Sequence, residues 1–452
     1  MIGDTIAAIS TPMGEGGIGI VRLSGPDAIA LADSVFASPK RVTLASVASH
    51  TLHYGTIRQK DQLIDEALVS VMRAPNTYTR EDIVELNCHG GIVAARAVLD
   101  ALLRAGARMA ERGEFTKRAY VNGRISLDQA KAVLDIVQAR TKLGLQAAVD
   151  RLGGRFTLAL AALRQDVAAI LADLEVQIDY PDLDVELEAI APRIGTCSAR
   201  VSQMLLQSES GRVIREGVTV AIVGRPNVGK STLLNALLSE ERAIVTPIPG
   251  TTRDTIEETA SLEGIPVRWI DTAGLRDADH PVEAEGVRRT RGAIDRADLL
   301  LLLVDRSEPK SAEDDAVLCL ETGVPSMLVL NKCDLSDAWG VIPDGPWSRT
   351  VRVSAKLGEG IEALRQEILR LLVAGDVPTR NSVLLLDTWE RDLLRRIGET
   401  LSGAYETACG QGQPDMVAEE LRIAYQTASE LQGIDISESI LDAVFSKFCV
   451  GK

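Results

Sequence analysis

The sequence predicts a multidomain chain of α/β plus all-α class. A doubly wound, Ras-like P-loop domain is inserted between two helical segments, and an N-terminal α/β domain precedes them. Three observations carry this reading: a strand, glycine loop and helix in succession over 218–238, mixed strand and helix periodicity up to residue 118, and helical periodicity on both sides of the central block. At 452 residues the chain can hold about three domains of ~150 residues each. The expected division is 1–118, 119–213, 214–375 and 376–452. Neither helical segment has an obvious complete core of its own, so the two are expected to pack together.

In the first segment, Ile18 to Leu23 alternates as a strand, Pro26 to Phe36 reads as an amphipathic helix, and Glu66 to Met72 and Asp82 to His89 read as further strands. His89-Gly90-Gly91 ends a strand and precedes a helix over Ile92 to Leu103. It is either a ligand-contacting turn or a plain turn with a surface histidine. Beyond residue 118, Ser126-Leu-Asp-Gln129 is a capping-box signature, with apolar positions from Leu127 to Val137 at helical spacing. Further helices are expected over Leu158 to Ile178 and Ala189 to Glu209, separated by Tyr180-Pro181-Asp182 and a solvated acidic connection to Glu188. After the central block, helices return over Asp387 to Ala408, Met416 to Gln432 and Ser437 to Phe448.

The chemistry concentrates in the central block. Val218 to Val223 is a buried strand, and Gly224 to Ser231 has the spacing of a phosphate loop, continued by a helix from Thr232. Backbone N–H groups of such a loop point at a polyphosphate, Lys230 reaches the outer phosphates, and the Ser231 hydroxyl suits Mg2+. Asp271 ends an apolar strand in Asp271-Thr272-Ala273-Gly274, where it can hold Mg2+ through water. Met327 to Asn331 is another strand, running into Asn331-Lys332-Cys333-Asp334. Asp334 can accept from the ring N–H and amine of guanine, Asn331 can reach the purine edge, and Ser354-Ala355-Lys356 offers backbone donors for the guanine carbonyl. The order of these four motifs predicts guanine specificity.

Gly250-Thr251-Thr252 stands where a first switch belongs, and Thr252 is the preferred further Mg2+ ligand, flanked upstream by Pro247 and Pro249. Leu275 follows Gly274, and leucine has no group to orient an attacking water. Hydrolysis must then be arranged differently. Glu283 could polarise a water and Arg276 could neutralise transition-state charge, or both lie on a solvent-exposed helix face. The amide oxygen of Asn227 could help to hold a monovalent cation against the phosphates.

Composition narrows the partners. Forty-nine Lys plus Arg against 64 Asp plus Glu give a net charge of −15, which disfavours non-specific attraction to a phosphate backbone. Aromatics at 3% argue against base stacking as a widespread device. Any RNA contact must be a local patch or be shared with a partner. Six scattered cysteines without a Cys-x-x-Cys pair indicate neither a zinc site nor a disulfide framework. No signal peptide or apolar stretch of ~18 residues is visible, so a cytoplasmic protein without a membrane span is expected.

With its motifs assembled, the chain resembles the TrmE (MnmE) family of tRNA-modification GTPases from end to end. The marks are Asp4-Thr-Ile-Ala-Ala8, Gly17 to Gly25, Glu85-Leu-Asn-Cys-His-Gly-Gly91, Gly113-Glu-Phe-Thr-Lys-Arg-Ala119, Gly250-Thr-Thr-Arg-Asp254 and the terminal Cys449-Val-Gly-Lys452. The resemblance implies an N-terminal folate-binding domain that forms a homodimer and carries 5-formyl- or methylene-tetrahydrofolate. By matching positions, its folate contacts are Arg22, Glu85, Arg124 and Lys452. Arg124 stands where the family more often has lysine, and Arg112-Gly113 replaces a more usual Pro-Gly. Cys449 is then either a participant in one-carbon chemistry or merely a buried thiol.

The resemblance also implies K+-dependent GTP hydrolysis when two nucleotide domains meet. GTP contacts would run through Asn227, Val228, Gly229, Lys230, Ser231 and Thr232; through Thr246, Pro247, Ile248, Pro249, Gly250, Thr251 and Thr252; through Asp271 to Gly274; and through Asn331, Lys332, Asp334, Ser354, Ala355 and Lys356. K+ would be held by Asn227, Thr246, Ile248 and Thr251, Mg2+ by Ser231 and Thr252, and Glu283 would position the water. The implied partner is the FAD-dependent protein MnmG, and the implied product a (carboxymethyl)aminomethyl group on C5 of the wobble uridine of certain tRNAs. Ribosome-assembly GTPases of the Era or Der kind share the switch sequences but carry an RNA-binding appendage, and no such basic module is visible here. A non-hydrolysing guanine-nucleotide scaffold is the other alternative.

Overall fold

The computed structural model describes residues 3–60, 62–179, 187–238, 257–271, 292, 294–320, 323–342, 344–372, 383–410, 413–434 and 438–452. The chain divides into two compact units: Met1–Leu134 with Leu152–Ala161 and Ala428–Lys452, and Asp135–Arg151 with Ala162–Thr427.

The first unit holds a seven-stranded sheet, built from β1 (Ile6–Ile9), β2 (Ile18–Ser24), β3 (Phe36–Ala37), β4 (Thr51–Gln59), β5 (Gln62–Met72), β6 (Ile83–His89) and β7 (Arg108–Met109). Their order is β3-β4-β5-β6-β2-β1-β7. Side chains alternate across the strands, so Val21, Leu23, Val69, Val71, Val84 and Leu86 face one way. There they form a core with helices α1 (Ala28–Val35) and α2 (Ile92–Ala105). The intervening positions face the other way, and the register sets Arg22 directly opposite Glu85. On β1, Ile6 and Ala8 pack with Ala110 and Phe115 of α3 (Glu114–Val121) in a smaller cluster. The boundary expected at 118/119 falls inside α3.

The second unit carries a six-stranded sheet of β8 (Val218–Val223), β9 (Glu257–Leu262), β10 (Ile265–Asp271), β11 (Leu299–Asp305), β12 (Ser326–Asn331) and β13 (Arg349–Arg352). The order is β13-β12-β11-β8-β10-β9; only β9 pairs antiparallel. β11 is buried along its whole length because both faces of a parallel sheet are covered. Leu299, Leu301 and Leu303 enter one core while Leu300, Leu302 and Val304 enter the other. β8 lies between β10 and β11, so chain connections diverge at its carboxyl end, the usual ligand crevice of an open α/β sheet.

Among the described residues, the helices of the central and C-terminal regions are α4 (Leu127–Gln138), α5 (Lys142–Leu152), α6 (Arg155–Asp179), α7 (Leu187–Glu216), α8 (Lys230–Leu238), α9 (Ala312–Leu318), α10 (Ile361–Leu372), α11 (Thr388–Cys409), α12 (Pro414–Gln432) and α13 (Glu438–Phe445). α7 and α11 pack extensively along one another. Arg151 of α5 is 1% exposed and bonds to Asp135 at 3.0 Å and Glu390 at 2.6 Å, while Arg215 reaches Asp135 at 3.1 Å. Burial raises the Asp135 carboxyl pKa despite these two guanidinium groups. Ala428–Lys452, read from sequence as part of the helical segment 376–452, clusters with the N-terminal residues.

Candidate functional site

The phosphate loop grows from the end of β8. Asn227 has φ +61, a left-handed conformation that Asn tolerates better than most side chains. Gly229 has φ +99, and a Cβ there would lie 2.4 Å from Asn331 Nδ2, so only glycine fits. Asn331, itself 2% exposed, donates to the Val228 carbonyl at 2.7 Å and accepts from the Ala355 amide at 3.0 Å. One side chain therefore joins the loop after β8, the loop after β12 and the loop after β13.

Lys230 and Ser231 begin α8, and Thr232 follows. Lys230 is 6% exposed, and its ammonium donates to the carbonyls of Gly224 and Arg225 at 2.8 Å each. Those bonds hold it across the mouth of the loop. Lys332 has φ +61, and its Nζ pairs with Asp305 Oδ2 at 2.5 Å. Burial opposes charge on Asp305, but Lys332 and Ser307 hold its pKa below the usual carboxylate range. Asp334 is exposed at the same sheet edge. Cys333 N donates to Val353 O at 3.1 Å, which sets the Asp334 turn against the segment carrying Ser354, Ala355 and Lys356.

Thr246, Pro247, Ile248, Pro249, Gly250, Thr251, Thr252, Thr272, Ala273, Gly274, Arg276 and Glu283 lie outside the described residues, as does the side chain of Asp271. The backbone of Asp271 ends β10 beside β8, opposite Ile222.

A second constellation sits in the N-terminal unit. Arg22 Nε pairs with Glu85 at 2.7 Å, its guanidinium lies over the Phe115 ring at 5.6 Å, and Nη1 points to Gly451 O at 3.4 Å. Arg124 lies over the Tyr78 ring at 4.8 Å, and Tyr78 packs against the cluster that contains Phe115. The C-terminal tail is stitched in by Ser10 Oγ to Gly451 O at 3.0 Å, Gly113 N to Cys449 O at 3.3 Å and a bridge between Arg112 and Val450. Gly451 has φ +93, and a Cβ would sit 2.2 Å from Ile9 O. Burial, then the nearby Arg22 charge, lowers the Lys452 ammonium pKa, with Cys449 opposing. Cys449 is exposed, so the merely buried thiol is not what the fold holds.

Sequence reasoning missed Asp305, although an acid closing the Leu299–Val304 run is itself a signal. It also missed Phe115 and Tyr78, whose positions beneath the two arginines no local pattern announces.

A glycine loop between β8 and α8, joined through Asn331 to an Asn-Lys-x-Asp turn, defines a P-loop GTPase. Residues 5–124 match the family model for the GTP-binding protein TrmE N-terminus, and residues 127–449 match that for the MnmE helical domain. The tRNA modification GTPase MnmE of Bacillus subtilis (strain 168) is 43% identical over 458 residues, covering 99% of this chain and 100% of its own. That of Chloroflexus aurantiacus is 45% identical over 453 residues, with the same coverage. Among solved structures, the FeoB G domain from Methanococcus jannaschii is 24% identical over 34% of this chain and 97% of its own, with a TM-score of 0.25. The chain belongs to the MnmE (TrmE) family of tRNA modification GTPases.

Proposed function

We propose that this GTPase couples K+-dependent GTP hydrolysis to the modification of tRNA. Together with an FAD-containing MnmG partner it adds a (carboxymethyl)aminomethyl group to C5 of the wobble uridine of certain tRNAs, using a tetrahydrofolate one-carbon donor. The observation that carries the nucleotide part is the Asn331 bridge between phosphate loop and base-reading turn. It supports a site in which Asp334 selects guanine, Ser354 to Lys356 cover the base, and Lys230 meets the outer phosphates.

Gly229, held left-handed at the start of α8 against Asn331, supports a loop whose backbone N–H groups face a polyphosphate. Ser231 and Thr252 would hold Mg2+, and Asn227, Thr246, Ile248 and Thr251 would hold K+. When bound, these cations supply positive charge against the phosphates. Glu283 orients the attacking water in place of the glutamine that Leu275 replaces, and Arg276 offsets charge beside it. Two nucleotide domains complete the site by meeting face to face, the chains being paired through their N-terminal domains in the cytoplasm.

The folate reading rests on the chemistry of the donor set. Arg22, stacked on Phe115 and paired with Glu85, acts electrostatically on Lys452, whose ammonium pKa burial and then the Arg22 charge lower, so a bound anion would relieve the repulsion between the two cations. A flat, doubly acidic pterin glutamate fits such a set, with Arg124 as a further cation and Cys449 at hand for the one-carbon unit. Mass spectrometry of wobble uridines from cells lacking the protein tests the whole reading: loss of the C5 group is expected, and full modification would refute it.

A further inference from the structure

The second position of the phosphate loop is Arg225, and its side chain reaches the segment that follows β11. It is 17% exposed and forks onto two carboxylates: Nη2 reaches Glu308 Oε2 at 2.7 Å, and Nε faces Asp314 Oδ1 at 3.2 Å. The second contact is an ion pair without hydrogen-bond alignment. Asp314 is 1% exposed and divides its carboxylate. Its Oδ2 closes the capping box of α9, accepting from Ser311 N at 3.0 Å and Ser311 Oγ at 2.7 Å. Its Oδ1 is left for Arg225.

The segment from Asp305 to Asp314 has a second anchor at its other end. There Asp305 pairs with Lys332, and Arg306 N donates to Asn331 O at 3.4 Å. The segment thus ties Arg225 at the phosphate end to Lys332 at the base end, by a route separate from Asn331. The tie bears on chemistry because the carbonyl of Arg225 is one of the two that hold the Lys230 ammonium.

We infer that Arg225 is a positioning residue for the phosphates. Its fork onto Asp314 and Glu308 fixes the carbonyl that aims Lys230. The inference rests on the site binding guanine nucleotide as proposed above. Breaking a buried pair from one side leaves an uncompensated carboxylate, so the cost falls on loop geometry as well as on charge.

The test compares GDP, GMP and IDP as competitors of a fluorescent GDP analogue on the full chain. In Arg225→Ala the preference for GDP over GMP falls about tenfold, because Lys230 is no longer aimed at the outer phosphate. The preference for GDP over IDP, which reads the base end, stays as in the unaltered chain. Arg225→Lys keeps the charge but not the fork, and gives an intermediate loss. Arg225→Ala combined with Asp314→Asn is no weaker than Arg225→Ala alone, since the two act through one contact. An unchanged GDP-to-GMP ratio, an equal fall in both ratios, or additive losses in the double variant would overturn the role of Arg225. If Arg225→Ala does not fold, the two ratios on Arg225→Lys decide by the same criteria. An unaltered chain that binds no guanine nucleotide removes the nucleotide-site reading as well, which distinguishes the two failures.

Discussion

The side-chain amide of Asn331 donates to the backbone carbonyl of Val228 at 2.7 Å, hanging the Asn-Lys-x-Asp turn on the phosphate loop. Both Asn331 and Val228 are buried, and the Ala355 amide shares the same side chain. Asn331→Ala leaves a buried carbonyl and a buried N–H without partners, at about 1–3 kcal/mol each. Thermal denaturation should show a midpoint several degrees lower, and GDP affinity should drop by more than about tenfold. A variant with both unchanged would show that the bridge is incidental.

On the proposed reading base selection would fall to Asp334, which is exposed in the turn after β12. Two carboxylate oxygens match the ring N–H and amine of guanine, while the amide of Asn presents a donor that matches the C2 carbonyl of xanthine. Asp334→Asn should lose about 100-fold in GTP affinity and gain binding of XTP. Competition binding with the two triphosphates measures this, and retained GTP preference would contradict the assignment.

The C-terminal tail offers an independent handle on the folate reading. Gly451→Ala demands a left-handed alanine whose Cβ lies 2.2 Å from Ile9 O, so the tail must leave its place. Titration with 5-formyl-tetrahydrofolate should weaken by more than about tenfold, with GDP binding unaffected. Equal folate affinity in this variant would remove Lys452 from the site.

His89 and Asp65 give a pH prediction. The imidazole Nδ1 lies 2.6 Å from Asp65 Oδ1, and the His89 amide donates to Oδ2 at 2.8 Å. The hydrogen bond to Asp65, then its charge, raises the His89 pKa above its ordinary value. A folded pKa above the unfolded one means that the proton binds more tightly in the native state. The contribution to stability is therefore full below the ordinary histidine value of about 6.5, and is lost as pH rises through the folded pKa. NMR titration of the His89 ring should give a midpoint above that ordinary value, and Asp65→Asn should bring it down. A midpoint unmoved by Asp65→Asn would show that the pair does not act in solution.

Residue types fixed by chemistry were the legible part of the sequence. Gly229, Lys230, Asn331 and Asp334 stand out by the spacing of the phosphate-loop and Asn-Lys-x-Asp motifs, and Leu299 to Val304 by burial on both faces of a parallel sheet. β4 was not legible: it buries only Gly55 and Ile57 and leaves apolar Leu52 and Tyr54 exposed, and it pairs along its length with β5. Its stability is a property of the hairpin, which local periodicity cannot express. The seating of Gly451 against Ile9 joins residues at opposite ends of the chain, and only the fold brings them together. The same holds for the fork of Arg225 onto Asp314, a position where the phosphate-loop pattern accepts any residue.

The central claim is that K+ and a pairing of nucleotide domains replace the glutamine absent at Leu275. GTP turnover of the purified chain in KCl and in NaCl, with molar mass measured by light scattering in GDP and aluminium fluoride, tests it most directly. Hydrolysis should be at least ~10-fold faster in KCl, together with K+-dependent association in the transition-state mimic. Equal, negligible turnover in both salts, with no change in mass, would contradict it.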